Sequence, residues 1–192
     1  MNIQSRLPTT PDEFLRWNEG REGRREFVNG RVVEMMINVT RDHWRLANRL
    51  ERQIAAQLGD EAYDVGTTDH GVLTADGIRY PDVMVDKVIA DGKALAATSP
   101  LLIAEVLSKS SLADDFGPKA RDYQSLSSLR HYLTVSQDEV RIWVWSRRDD
   151  GQWQSPVIHE TGSIALTIDG RSVVIDLKSL YAGIANPAAA ES

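Results

Sequence analysis

Between residues 40 and 58 apolar side chains recur every three or four positions. His43, Ala47, Leu50, Ile54 and Leu58 form one stripe, and Arg41, Arg45, Arg49 and Arg52 lie mostly off it. That period predicts an amphipathic helix closed by Gly59-Asp60. Thr10-Pro11-Asp12-Glu13 reads as another helix start, with Thr as N-cap, Pro at the first helical position and Glu three residues after the cap. This helix is expected to end near Glu19-Gly20. Arg25-Glu26-Phe27-Val28, Asn29-Gly30 and Arg31-Val32-Val33-Glu34-Met35 predict a hairpin with a type I′ turn, because Asn-Gly accepts positive φ at both central positions. Residues 62–86 read as strands broken at Gly71 and Asp76-Gly77, followed by a polar stretch over 87–100. Ser110-Ser111-Leu112-Ala113-Asp114 resembles a capping box, and Gly117-Pro118 opens a helix of about 118–128. Strands over 131–136, 140–147 and 153–159, a hairpin at Asp169-Gly170 and a short helix ending at Gly183 complete an α/β (α+β) pattern.

Two apolar segments break the pattern. Tyr80-Pro81-Asp82-Val83-Met84-Val85 and Leu101-Leu102-Ile103-Ala104-Glu105-Val106-Leu107-Ser108 both predict strands, and each carries one carboxylate where a core-facing strand should carry none. A buried charge must be paired, coordinated to a metal or neutralised. Asp82 follows Pro81, which cannot donate to a central ladder and so marks a strand start or a bulge that re-aims the carboxylate. One reading places Mg²⁺ between Asp82 and Glu105, with the Val106 carbonyl as a further ligand. The other pairs each acid with an arginine such as Arg79 or leaves it at a solvated edge. Lys119, four residues after Asp115, has the spacing of an exposed helical ion pair. Beside a metal site the same ammonium would orient a water and offset phosphate charge. His43 reads as a hydrogen-bonded packing residue; His70, His131 and His159 are scattered, so no zinc site is expected. The absence of cysteine excludes disulfides and thiolate ligands.

A chain of 192 residues with 42% hydrophobic content fits one domain, expected over residues 1–185 with a disordered tail at 186–192. No apolar run approaches the roughly 18 residues of a membrane span, and no signal pattern opens the chain, so a cytoplasmic location is expected. The net charge of −6 argues against indiscriminate nucleic-acid binding. The charge is uneven, however. Residues 1–60 hold ten arginines and nine acids, and all their cations are arginines, the better match for phosphate. Residues 61–192 carry 12 basic against 19 acidic groups. Over 140–147, Val140, Ile142 and Val144 alternate with Arg141, Trp143, Trp145 and Arg147. That aromatic face predicts either base stacking or, favoured by the surrounding acidity, an interface between copies in a homodimer or higher homo-oligomer.

Taken together, Arg25-Glu26-Phe27-Val28-Asn29-Gly30-Arg31, His43, Arg79-Tyr80-Pro81-Asp82-Val83, Glu105-Val106-Leu107-Ser108, Asp115 with Lys119 and Tyr123, His131-Tyr132-Leu133-Thr134-Val135 and Leu180-Tyr181-Ala182-Gly183 follow a familiar order and spacing. Over roughly residues 8–185 the sequence resembles the Uma-two endonuclease-like family, a bacterial branch of the restriction-endonuclease-like, PD-(D/E)XK fold. The resemblance implies a mixed sheet flanked by helices, with an N-terminal helix and hairpin. It implies a Mg²⁺ or Mn²⁺ site at Asp82 and Glu105, and hydrolysis of DNA phosphodiesters by a metal-activated water. The superfamily usually places a lysine two residues after the second acid; here Leu107 stands there, and Lys119 is the matching helical lysine. Glu26 and His43 match family positions that would extend the site, and the arginines between Arg21 and Arg52, among them Arg41, Arg45 and Arg49, would contact the DNA backbone. The alternative is a catalytically silent member serving as an oligomeric binding or scaffold module; a nuclease acting on RNA is a weaker option.

Overall fold

The computed structural model describes residues 6–35, 38–67, 69–108 and 112–184. In chain order the first elements are α1 (Pro11–Asn18), β1 (Arg25–Val28), β2 (Arg31–Glu34), α2 (Arg41–Leu58), β3 (Tyr63–Gly66), β4 (Gly71–Thr74) and β5 (Gly77–Arg79). Next come β6 (Val83–Lys87), β7 (Ala96–Ala97), β8 (Leu102–Val106), α3 (Leu112–Asp115), α4 (Pro118–Gln124) and β9 (His131–Val135). The last are β10 (Ile142–Ser146), β11 (Val157–His159), β12 (Ser163–Ile168), β13 (Arg171–Asp176) and α5 (Leu177–Leu180). The predicted tail at 186–192 and the serines Ser110 and Ser111 of the predicted capping box lie outside the described residues.

Local chemistry sets the early elements. Thr10 caps α1 by accepting from the Glu13 N–H at 3.2 Å, while the Glu13 carboxylate reaches past it to the N–H and hydroxyl of Thr9, each at 2.8 Å. Asn29 and Gly30 take φ of 49° and 76°, the turn that the dipeptide predicts. Gly77 faces Val28 across β1 and β5, where a Cβ would stand 1.7 Å from the Phe27 carbonyl oxygen. Only glycine lets the two strands close there.

The described strands build two mixed sheets, as the expected architecture requires, and a separate hairpin. One sheet has the order β2-β1-β5-β4-β7, the other β11-β10-β9-β8-β6-β3, and β12 pairs with β13 alone. In the six-stranded sheet only β8 and β9 run parallel among the described strands. A parallel pair needs a long crossover, and here it is the segment 107–130 that carries α3 and α4. Alternation along β8 separates two cores. Leu102, Ala104 and Val106 pack with Leu46, Leu50 and Ile54 of α2, whereas Ile103 packs with Ala120 and Tyr123 of α4. Glu105 shares the Ile103 face and is therefore turned toward α4.

Three boundaries differ from the sequence reading. The helix expected over 118–128 stops at Gln124, because the carbonyls of Gln124, Leu126 and Ser127 accept from the Arg147 guanidinium and the Gln124 carbonyl also accepts from the Trp153 indole. The polar stretch 87–100 contains β7, two alanines too short to show a period. Val140 lies outside β10 and only packs against the core.

The aromatic face of β10 is largely filled from within. Phe116 meets Trp143 and Trp145 edge-on, at 5.1 and 5.6 Å between ring centroids, and Tyr132 lies 5.4 Å from Trp145. Arg147 sits 4.8 Å over Trp153. No helix among the described residues is long and apolar enough to cross a membrane.

His131 ties β10 to the β12–β13 hairpin: Nε2 is 2.9 Å from the Thr167 carbonyl, so it is the donor, and Nδ1 accepts from Ser146 Oγ at 2.9 Å. Burial holds its pKa below the usual histidine range, with the Thr167 bond opposing and Arg130 adding to the effect. The unfolded chain then takes up a proton that the folded one refuses, so this contribution is intact above the ordinary pKa of about 6.5 and is lost as pH falls below it. In urea denaturation, the stability difference between the natural protein and His131→Gln is expected to shrink from pH 7.5 to 5. A difference independent of pH would refute a neutral, buried His131.

Candidate active site

Asp82 stands one residue before the first paired residue of β6, Val83, which faces Ala104. The Leu107 N–H donates to the Val135 carbonyl, so Glu105 and Leu107 spend their peptide groups on β9. Those of Val106 consequently point to the β6 side, beyond its last pair. There the Val106 N–H donates to Asp82 Oδ2 at 2.8 Å, and His43 Nε2 lies 3.2 Å from the same oxygen. The proline that interrupts the ladder thus leaves a gap, and the carboxylate fills it.

Glu105 Oε1 takes the Lys119 Nζ at 2.8 Å and the Tyr123 hydroxyl at 2.9 Å. Lys119 is in the first turn of α4, with its Nζ 3.7 Å from Asp115 and 3.8 Å from Glu26. It is buried rather than on the exposed face that the helical ion-pair spacing suggests. Behind it, Glu26 Oε2 accepts from Arg79 at 2.8 Å and Oε1 from the Tyr80 N–H at 3.1 Å. Arg79 does not pair with Asp82 or Glu105. Its other bonds reach Asp122 at 2.6 Å and Asp114 at 3.4 Å.

Asp82, Glu105, Lys119, His43 and Val106 all line one cavity of about 740 Å³, with Arg24 on its wall. Glu26 is behind it. Arg45 and Arg49, expected on phosphate, instead donate to carbonyls near the end of α5: Gly183 for Arg45, Leu180 and Ala182 for Arg49. Arg41 is exposed. No sequence signal gives Tyr123, Asp114 or Asp122 a role in this site, and Arg79 reads there only as a partner for the strand acids. Arg79 carried the same signal as Asp82, a lone charge in an apolar strand.

Six carboxylates (Glu26, Asp82, Glu105, Asp114, Asp115 and Asp122) crowd around two fixed cations, Arg79 and Lys119, and His43. That excess shows in the proton equilibria. Burial disfavours the Asp82 anion, but the bond and charge of His43, with Lys119 and the Val106 N–H, outweigh it and hold the carboxyl below its ordinary range. Burial and the charges of Asp82 and Asp115 push Glu105 well up despite Lys119. Burial also opposes the Lys119 charge, yet Glu105, Glu26 and Asp115 keep it protonated.

The donor set suits a hard divalent cation. Among the described residues the contacts of Asp82 use Oδ2 and those of Glu105 use Oε1. Asp82 Oδ1, Glu105 Oε2 and the Val106 carbonyl thus remain as oxygen ligands, and Mg²⁺ ordinarily completes so small a protein set with water. No group of three or more His, Asp or Glu spaced for a metal occurs among the described residues.

The fold is that of a restriction-endonuclease-like domain. A crystal structure of a "putative nuclease belonging to DUF820" from Anabaena variabilis superposes with a TM-score of 0.68, covering 93% of this chain and 100% of that one. At 14% identity this likeness shows the fold alone. The sequence matches the Uma2 family, described as "Putative restriction endonuclease", over residues 11–173, and the chain belongs to that family. Two Synechocystis proteins are similar along most of their length. One, sll1609, is 31% identical over 149 residues, 75% of this chain and 84% of that protein. The other, slr1290, is 30% identical over 179 residues, 92% and 93% respectively.

Proposed function

We propose that this chain is a metal-dependent endonuclease that hydrolyses DNA phosphodiester bonds. The observation that carries the reading is the convergence of Asp82, Glu105 and Lys119 on one cavity with surplus negative charge. Asp82, Glu105 and the Val106 carbonyl would hold Mg²⁺ or Mn²⁺. Such an ion supplies a Lewis acid and lowers the pKa of a water it carries. His43 and the Val106 N–H hold the Asp82 carboxylate by Oδ2 and leave Oδ1 for the metal. Tyr123 and Lys119 do the same for Glu105. Lys119, kept charged by its acidic neighbours, offsets the negative charge that grows on the phosphoryl oxygens. Arg24 on the cavity wall would meet the DNA backbone.

Plasmid nicking with and without magnesium tests the proposal. Asp82→Asn is expected to lose at least about 100-fold in rate, the cost of removing an electrostatic element from such a site. Nicking at the natural rate in that variant would place any activity elsewhere. A second reading, a catalytically silent binding module, draws on Leu107 standing where the superfamily usually has lysine. It gains if millimolar magnesium or manganese gives no Asp82-dependent rise in melting temperature.

A further inference from the structure

A second cavity, of about 270 Å³, opens beside the first and shares Arg24, Met35 and Tyr80 with it as walls. We infer that it receives a nucleobase of the bound strand, one nucleotide from the phosphate at Asp82 and Glu105; this rests on the nuclease reading above. Three observations carry the inference.

The first is an unmatched pair of buried polar atoms. Asn18 Oδ1, an acceptor at the end of α1, and Arg25 Nη1, a donor at the start of β1, have no partner among the described residues. Both residues line the cavity. Unpaired buried polar atoms are costly, so two of them on residues that line one cavity call for a ligand that satisfies both. Every nucleobase offers a donor and an acceptor on one edge, which defines the class of ligand without choosing among the bases.

The second is shape and polarity. Tyr80, Leu15 and Leu95 give the cavity an aromatic and apolar lining suited to a flat ring. Its charges are Arg24 and Arg25 against Glu19, Glu26 and Asp69. That acidic balance disfavours a phosphate and suits an uncharged ring. Gly23, at φ 92°, keeps the space beside the Arg25 guanidinium, which an added Cβ would approach at 3.3 Å.

The third is placement. Tyr80 is two residues from Asp82, at most about 7 Å along an extended chain, a gap that one deoxyribose bridges. Its N–H is fixed by Glu26 and its hydroxyl faces Asn18. A base unstacked from its neighbours would thus enter one cavity while its phosphate stays in the other.

The test uses the four free deoxynucleosides, without phosphate and without metal, in saturation-transfer NMR on the whole protein, with deoxyribose as control. Base protons are expected to receive saturation and deoxyribose protons not. Asn18→Ala is expected to weaken binding about fivefold, the equivalent of one hydrogen bond. Leu95→Trp, at a lining position that is 41% exposed, is expected to block entry. Asp82→Asn should bind nucleosides normally, which separates this site from the hydrolytic one. Equal signals from deoxyribose and the nucleosides, or unchanged binding in both Asn18→Ala and Leu95→Trp, would overturn the inference even if DNA is cleaved. Nucleoside binding in a protein that never nicks DNA would uphold the pocket and refute the nuclease.

Discussion

Arg79→Met is expected to lower stability by about 3–5 kcal/mol in urea denaturation at pH 7, the range for removing one partner of a buried ion pair. The guanidinium joins Glu26 on β1, Asp122 on α4 and Asp114 on α3 with bonds of 2.8, 2.6 and 3.4 Å. Its own burial disfavours the charge, but Glu26, Asp122 and Asp114 more than compensate and hold it firmly protonated. Methionine fills much of the space and supplies no donor, so Glu26 would be left buried with only the Tyr80 N–H and a distant Lys119. Arg79→Lys should recover less than half of the loss, since a compact ammonium lacks the spread of Nε, Nη1 and Nη2 donors with which the guanidinium spans acids on three separate elements. A loss below about 1 kcal/mol would mean that the cluster does not hold β5 to the α3–α4 crossover.

Lys119→Met should act on both stability and chemistry, and a second substitution separates the two. Alone it strands Glu105 beside Asp82 and Asp115 without its cation, and a cost of about 3 kcal/mol is expected. Replacing the pair, Lys119→Met with Glu105→Leu, should restore most of that stability, because an apolar pair of similar volume often matches a buried ion pair. Neither variant should nick DNA. A double variant that refolds and still cleaves would show that the hydrolytic site lies elsewhere. One that stays as unstable as Lys119→Met would show that Tyr123, left without its acceptor, sets the cost instead.

The contrast between these two residues explains what could be read from one dimension. The strand acids were visible because period and burial are local properties. An apolar run such as Leu102–Val106 commits its residues to the interior, so a carboxylate within it announces itself wherever its partner comes from. The α1 cap, the Asn29-Gly30 turn, the α2 stripe and the Asp169-Gly170 turn were read for the same reason, since each depends on neighbours within a few residues. Lys119 was ambiguous by that standard. Its spacing from Asp115 describes a solvated helix face as well as a buried site, and only the resemblance to a family singled it out.

Pairing across long separations belongs to another category. Arg79 finds Asp122 and Glu26 because β5 lies against β1 and the crossover from β8 to β9 sets α4 above them, none of which a spacing rule encodes. The same holds for Arg45 and Arg49. As residues on an amphipathic helix they looked free to meet phosphate, but the C-terminal turn docks on α2 and takes their donors. The aromatic face of β10 looked exposed until Phe116 folded across it. Local periodicity, then, settled which segments become helix and strand and which charges are forced inside. Partner choice among those charges needed the packed sheets, because electrostatic and hydrogen-bond energies depend on distance in space, and chain separation says almost nothing about it.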